Sequence, residues 1–315
     1  MNAISTRGLR RTFVRKSAEK VALHGIDIEV PEGEVHGLLG PNGAGKSTLC
    51  KILSTVLLPT SGTASVMGRD VATATTAVRS LIGVSLGGDR GLYGRLSARQ
   101  NLRYWGALYG LSGRVLDARV TTLLERVGLS GHADDRAETF SRGMKQRLHL
   151  ARAIVHDPPV LLLDEPTAGL DPVAAHGFRT IIEELRRERR TVLLATHDMD
   201  EAEALCARVT LIDGGRVLAT DSPRTLSERA AGHQRVEAVD APTAVLAELR
   251  RLPGVRGIEH HPDAVARIAV DDDRSAREVL RRLVDADVTR VAVVRPNLAE
   301  MYLDLVGGRG MEVGG

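Results

Sequence analysis

The sequence predicts an α/β protein, a parallel sheet covered by helices, followed by a small α+β domain. Three observations carry that expectation. Residues 160–163 and 191–195 are short, wholly apolar runs, as strands buried on both faces must be, and a helical pattern over 172–187 separates them. A glycine-rich segment over residues 40–48 lies between an apolar strand and a helical pattern. Near residues 223–232 the chain changes to shorter, alternating elements.

Taken in order, residues 4–83 are β-rich runs alternating with turns. Residues 26–30 and 35–39 read as strands around the turn Pro31-Glu32-Gly33-Glu34, and a helix is expected over 47–57. From about residue 96 to 156 the pattern is helical, over 99–108, 115–127 and 141–155. Beyond the 191–195 strand, the tail reads strand (235–239), helix (243–251), strand (255–259), strand (266–270), helix (276–285) and strand (288–294). Ser275 and Glu278 have the spacing of a capping box at the last helix start. This order is that of a ferredoxin-like split βαβ unit. The expected domains are residues 1–225 and 226–315.

Composition narrows the class. Of 315 residues, 43% are hydrophobic and 26% charged, an ordinary globular balance. Aromatics make up only 3%, so Leu, Val, Ile and Ala must build the core. The net charge of +3, despite a pI near 9.1, is too small a surplus to indicate a nucleic-acid partner. Cys50 and Cys206 lie far apart with no CxxC or Cys/His cluster, which argues against structural zinc and requires no oxidising compartment. The first residues hold no apolar stretch fit for a signal peptide, and no run approaches the roughly 18 apolar residues of a spanning helix. A soluble, cytoplasmic protein is expected.

Two motifs carry chemistry. Gly40-Pro41-Asn42-Gly43-Ala44-Gly45-Lys46-Ser47-Thr48 has the form of a P-loop. Its glycines let backbone N–H groups turn inward on a phosphate, and the helix start adds partial positive charge. Lys46 is placed to reach the β- and γ-phosphates, and the Ser47 hydroxyl to bind Mg²⁺. A chance glycine-rich turn is the bland alternative, and the strand–helix context opposes it. Residues 160–165 then bring Asp164 and Glu165 to the carboxyl end of a buried strand, where α/β sheets place ligands. Paired with the P-loop, Asp164 is expected to hold Mg²⁺ and Glu165 to polarise an attacking water.

With these two halves in place, the chain resembles the ABC transporter ATPases over residues 4–225. Phe140-Ser141-Arg142-Gly143-Met144-Lys145-Gln146-Arg147 resembles their signature, with Arg142 where glycine is usual. Ala168-Gly169-Leu170-Asp171-Pro172 resembles the D-loop, and Thr196-His197-Asp198 the switch-histidine loop. Phe13 stands where the family keeps an aromatic ring that stacks on adenine; a core phenylalanine is the competing reading. The resemblance implies a P-loop NTPase cassette: a RecA-like parallel core, an antiparallel β subdomain and a helical subdomain at about 92–158. It also implies ATP and Mg²⁺ as ligands, Glu165 and His197 as catalytic groups, and Asp171 as part of the nucleotide site. Ser141 and Gly143 are expected to meet the γ-phosphate of a second subunit, in a homodimer or a pair with another cassette. The implied partner is an ABC-2-type membrane permease, holding the chain peripherally on the inner face of the cell membrane, with no nucleic acid involved.

The chain departs from the family in one loop. Where a glutamine is usual after residues 81–86, it reads Gly87-Gly88-Asp89-Arg90, with Gly88 in the glutamine's place; Gln100 is too far along to substitute, and Asp89 is the candidate stand-in. Arg295-Pro296-Asn297-Leu298-Ala299-Glu300-Met301-Tyr302-Leu303 resembles the closing motif of drug-resistance exporter ATPases of the daunorubicin/doxorubicin class, with Ala299 at a usually acidic place. Export of a drug-like or other hydrophobic substrate is therefore the leading expectation. A soluble ABC ATPase acting on nucleic acid or the ribosome, and an importer ATPase, are the alternatives. The single cassette, the lack of heptads and the unpaired cysteines oppose the first, and the tail motif opposes the second.

Overall fold

The computed structural model describes residues 1–15, 18–86, 91–231, 234–260, 264–294, 298–299 and 301–302. Gly88 and Asp89 lie outside the described residues, as does most of the closing motif. The chain divides into two compact units, Met1–Ser222 and Pro223–Gly315.

The first unit runs β1 (Asn2–Arg15), β2 (Ala18–Pro31), β3 (Val35–Leu39), α1 (Lys46–Leu53), β4 (Ser61–Val66), β5 (Arg69–Asp70), α2 (Thr75–Leu81) and β6 (Ile82–Ser85). It continues with α3 (Ala98–Leu108), α4 (Gly113–Arg126), α5 (Arg142–Ala153), β7 (Val160–Asp164), α6 (Pro172–Arg187), β8 (Thr191–Thr196), α7 (Met199–Leu205), β9 (Arg208–Asp213) and β10 (Arg216–Asp221). The central sheet has the order β10-β9-β3-β8-β7-β6; β9, β3, β8, β7 and β6 are parallel and β10 closes one edge antiparallel. Every residue of β3, β7 and β8 is buried, which is why these strands are largely apolar and show no alternation. A second, antiparallel sheet has the order β2-β1-β4-β5. Helices α3, α4 and α5 pack on one another as the helical layer.

Local chemistry sets where the helices of the first unit begin and end. Helix α1 ends at Leu53, short of the expected 57, because Ser54 caps it and Thr55 turns left-handed with φ of 61°. Helix α2, unforeseen in the sequence, is seven residues with no side-chain cap, too short for a clear period. Helix α3 opens on a full capping box: Ser97 accepts from the Gln100 N–H, and the Gln100 carbonyl oxygen accepts from the Ser97 N–H at 2.9 Å. The Gln100 side chain is thus committed to its own helix.

The second unit comprises α8 (Pro223–Ala231), β11 (Gln234–Val239), α9 (Thr243–Leu249), β12 (Val255–His260), β13 (Val265–Val270), α10 (Asp273–Asp285) and β14 (Val291–Val294). Its all-antiparallel sheet has the order β12-β13-β11-β14, the arrangement of a split βαβ unit, over a core that includes Val236, Leu249, Ile268, Val279 and Leu283. The capping-box reading of Ser275 and Glu278 is corrected: Asp272 caps α10 by accepting the Ser275 N–H at 2.8 Å, so the helix starts earlier. Glu278 instead pairs with Arg281 and Arg282 along the helix. The last strand begins at Val291 and not at 288, because the Val288 N–H closes the end of α10 on the Leu283 carbonyl. Among the described residues, no helix is long and apolar enough to cross a membrane.

Candidate functional site

The loop of residues 40–48 joins β3 to α1 at the carboxyl end of the central sheet. Gly40 passes so close to β9 that a Cβ there would stand 2.0 Å from the Ile212 carbonyl oxygen, and Gly43 and Gly45 adopt φ of 86° and 110°. Gly45 occupies the cap position of α1 and contributes no side chain, so the first N–H groups of the helix stay available to an anion. Lys46 is only 4% exposed; its Nζ donates to the Gly40 carbonyl at 2.6 Å and to the Pro41 carbonyl at 3.1 Å, lying across the loop.

The acidic half comes from the end of β7, two strands away. Asp164 is 5% exposed, and its Oδ1 has no hydrogen-bond partner among the described residues. Burial pushes its carboxyl above the ordinary carboxylate range; the Ser47 hydroxyl, Lys46 and Lys51 pull the other way, while Glu165 adds repulsion. Glu165 has a left-handed backbone, φ of 49°, fixed by its N–H to the Ala195 carbonyl of β8 at 2.8 Å. Its Oε1 stands 3.6 Å from Lys46 Nζ and 3.3 Å from His197 Nδ1, so a cation, a carboxylate and an imidazole meet within one cluster. His197 follows directly on β8, the strand between β3 and β7, and is half exposed. Lys46, Asp164, Glu165 and His197 are therefore brought together from three adjacent strand ends.

Phe13 is 39% exposed and so is not a core residue. It lies at one end of a cavity of about 580 Å³ that runs along residues 41–48 to Glu165, with the Arg11 guanidinium 4.7 Å from its ring centroid. A second cavity, of about 650 Å³, opens beyond Ser47 and Asp164 toward the helical layer. There Tyr109 stacks on His156 with centroids 3.6 Å apart, Arg152 lies over Trp105, and burial pushes the His156 pKa down to about 4.

Ser141 and Gly143 line none of these cavities. Ser141 caps α5, its Oγ accepting the Met144 N–H, and Gly143 lies against Ala174 of α6. Asp171 caps α6 in the same way, through the Ala174 N–H at 2.9 Å, so its carboxylate serves its own helix. Arg142 reaches the neighbouring loop at Gly169. The D-loop residues Ala168, Gly169 and Leu170 share a cavity with Glu165 and His197, whereas Ser141 and Gly143 of the signature line neither that cavity nor the one along Lys46.

Sequence reasoning missed Glu201, which is fully buried behind the cluster and accepts from the Thr167 hydroxyl at 2.7 Å. The available signal was the spacing of Asp198 and Glu201. Asp198 does cap α7 through the Glu201 N–H, but the Glu201 side chain turns inward instead of back toward the cap.

Comparisons with known proteins agree with this geometry. Residues 23–168 match the model of the ABC transporter family, and residues 228–306 that of the ATP-binding protein DrrA1-3-like C-terminal domain. The chain is 39% identical to the daunorubicin resistance ATP-binding protein DrrA2 of Streptomyces coeruleorubidus, covering 94% of this chain and 93% of that protein. It is 36% identical to the Nod factor export ATP-binding protein I of Rhizobium sp. (strain N33), covering 97% of both. Among solved structures it resembles a bacterial ABC transporter cassette determined as a dimer, with a TM-score of 0.65 and 25% identity, covering 70% of this chain and 98% of that one. With the nucleotide-loop geometry, the parallel core and the tail domain in agreement, the chain belongs to the ATP-binding subunits of the ABC transporter family, ATPases built on this cassette.

Proposed function

We propose that this chain is the ATP-hydrolysing subunit of an exporter, driving a drug-like or other hydrophobic substrate through a separate ABC-2-type permease. The observation that carries the reading is the meeting of Lys46, Glu165 and His197 beside the buried Asp164. The relatives named for daunorubicin resistance and Nod factor export favour export over import.

In this reading the N–H groups of residues 43–48 and Lys46 bind the phosphates of ATP, and Phe13 stacks on the adenine. Ser47 and Asp164 hold Mg²⁺. Their chemistry fits a hard cation: one hydroxyl and one buried carboxylate, with an oxygen that has no other partner. Magnesium would neutralise phosphate charge there. Glu165 orients and polarises the attacking water, and His197 contacts the γ-phosphate.

Because Ser141 and Gly143 do not line the cavity along the chain's own Lys46, a second cassette is needed to bring a signature to each site. Two chains, or this chain and another cassette, would close head to tail around two ATP molecules, with Asp171 at the interface. Closure would then be driven by ATP binding, since only the closed pair completes the site. Exposed Tyr93, Tyr104 and Leu108 of the helical layer offer the permease an apolar contact and would hold the chain on the inner face of the membrane.

The test is Mg²⁺-dependent ATP turnover of the purified chain and of Lys46→Ala, with light scattering to follow assembly. Vesicles carrying the co-expressed permease then assay drug efflux. Turnover that needs Lys46, ATP-dependent pairing and ATP-dependent efflux are the expected results. Turnover that survives Lys46→Ala, or uptake in place of efflux, refutes the reading.

A further inference from the structure

We infer that Glu201 is a positioning residue whose buried carboxylate ties the loop carrying Glu165 to the loop carrying His197, holding the two groups at one spacing. The inference rests on the reading of Glu165 and His197 as the catalytic pair.

Glu201 sits in the first turn of α7 with no exposed surface. Its Oε1 accepts from the hydroxyl of Thr167 at 2.7 Å, and Thr167 lies two positions past Glu165. The Thr196 hydroxyl lies beside the same carboxylate and, with Thr167, favours its charged form; burial works against both and outweighs them. Thr196 directly precedes His197, and its Oγ1 accepts the Asp198 N–H at 3.0 Å. Glu201 is therefore bonded on both sides of the pair whose side chains meet at 3.3 Å: its carboxylate accepts from Thr167 of the Glu165 loop, and its N–H donates at 3.0 Å to Asp198, the residue after His197.

Stability alone does not account for this arrangement. Glu201 Oε2 has no hydrogen-bond partner among the described residues, and the Arg179 cation of α6 acts on the carboxylate only through space. An apolar side chain of similar size would avoid burying a charge. The strained backbone of Glu165 supplies a reason for the carboxylate. A left-handed non-glycine residue persists only where its surroundings over-determine it. The Glu165 N–H is fixed on Ala195, the Glu165 carbonyl accepts from Ala168, and the Thr167–Glu201 hydrogen bond anchors the loop between them. Removing that anchor lets Glu165 drift, and misplacement of a reacting group by about 1 Å costs up to roughly a hundredfold in rate.

The test compares Glu201→Ala, Glu201→Gln and Thr167→Val, each alone and the alanine and valine changes combined, with Glu165→Gln as control. The readouts are kcat, ATP affinity from a fluorescent analogue, and the melting curve. Glu201→Ala and Thr167→Val should each lower kcat by about tenfold or more while ATP affinity stays within about twofold. Glu201→Gln, which still accepts from Thr167, should hold kcat within about threefold, and the double variant should fall no further than the worse single one. A purely structural Glu201 would lower the melting temperature but leave kcat per ATP-binding site intact. That result, or losses that multiply in the double variant, overturns the inference. If Glu201→Ala does not melt cooperatively, Thr167→Val decides by its kcat alone. If Glu165→Gln is inactive and the other variants turn over normally, only the positioning role fails. If Glu165→Gln itself turns over normally, the catalytic pair fails and the inference with it.

Discussion

Replacing Asp164 by asparagine should make the nucleotide-free protein more stable and the Mg²⁺-ATP-bound protein less so. The carboxyl is 5% exposed, one oxygen has no hydrogen-bond partner among the described residues, and the neighbouring Glu165 repels its charge. In the unfolded chain that charge is fully hydrated, so folding leaves an uncompensated cost of about 1–3 kcal/mol that a neutral amide of the same shape avoids. For a unit of this size the gain corresponds to a rise in melting temperature of roughly 2–12 °C. The sign with pH follows from the raised carboxyl. The native state takes up its proton at higher pH than the unfolded chain, so the penalty is full above the native pKa. It fades on acidification and is gone below the unfolded value of about 3.9, so the advantage of asparagine shrinks as pH falls. Saturating ligand reverses the order: at about a hundred times its dissociation constant a ligand adds about 2.7 kcal/mol to the wild type, and the variant loses the share that depends on the metal. The assay is thermal melting of both proteins without ligand, with ATP and EDTA, and with Mg²⁺-ATP. A lower melting temperature for the ligand-free variant, or an equal Mg²⁺-ATP shift in both proteins, would refute the reasoning.

Three further outcomes are expected. Gly40→Ala forces a Cβ to within 2.0 Å of the Ile212 carbonyl and should destabilise the first unit by about 1–3 kcal/mol in urea titrations, together with weaker nucleotide binding. Phe13→Ala, at a side chain already 39% exposed, should leave the melting temperature nearly unchanged while raising the ATP dissociation constant about fivefold or more by calorimetry. Because burial lowers the His156 pKa to about 4, the unfolded chain binds this proton first and stability should drop as pH falls from about 6.5 to 4. The drop is about 3 kcal/mol at most, and about half that after discounting the ring's partial exposure. His156→Phe, which keeps an aromatic face for Tyr109, should flatten that window in pH-dependent melting.

How legible the molecule is in its sequence depends on what each signal measures. The strands β7 and β8 stand out because burial on both faces leaves only apolar residues between their ends, and the loop at residues 40–48 because close approach to β9 admits only glycine at its start. The end of α1 is not legible, since nothing in Thr55 announces a left-handed turn. Nor is the true cap of α10: Asp272 and Ser275 are both good capping residues, and only the fold selects between them. Glu201 was hidden for a related reason. An acid in the first turn of a helix normally faces solvent and the helix dipole, and its inward turn depends on Thr167, supplied by another loop. The assembly of Lys46, Glu165 and His197 was legible only as a set of motifs; their spacing is a property of the sheet.

That sheet has a consequence of its own. Strand β8 lies between β3 and β7, so the backbone that leads into the glycine-rich loop and the backbone that carries Asp164 are two inter-strand spacings apart, roughly 10 Å. This distance belongs to the hydrogen-bond lattice, which no side chain can stretch. Substitutions can delete a ligand from the site or blunt it, but they cannot retune its width. The sheet acts as a fixed gauge, and the only adjustable parts of the engine are the loops that hang from its end.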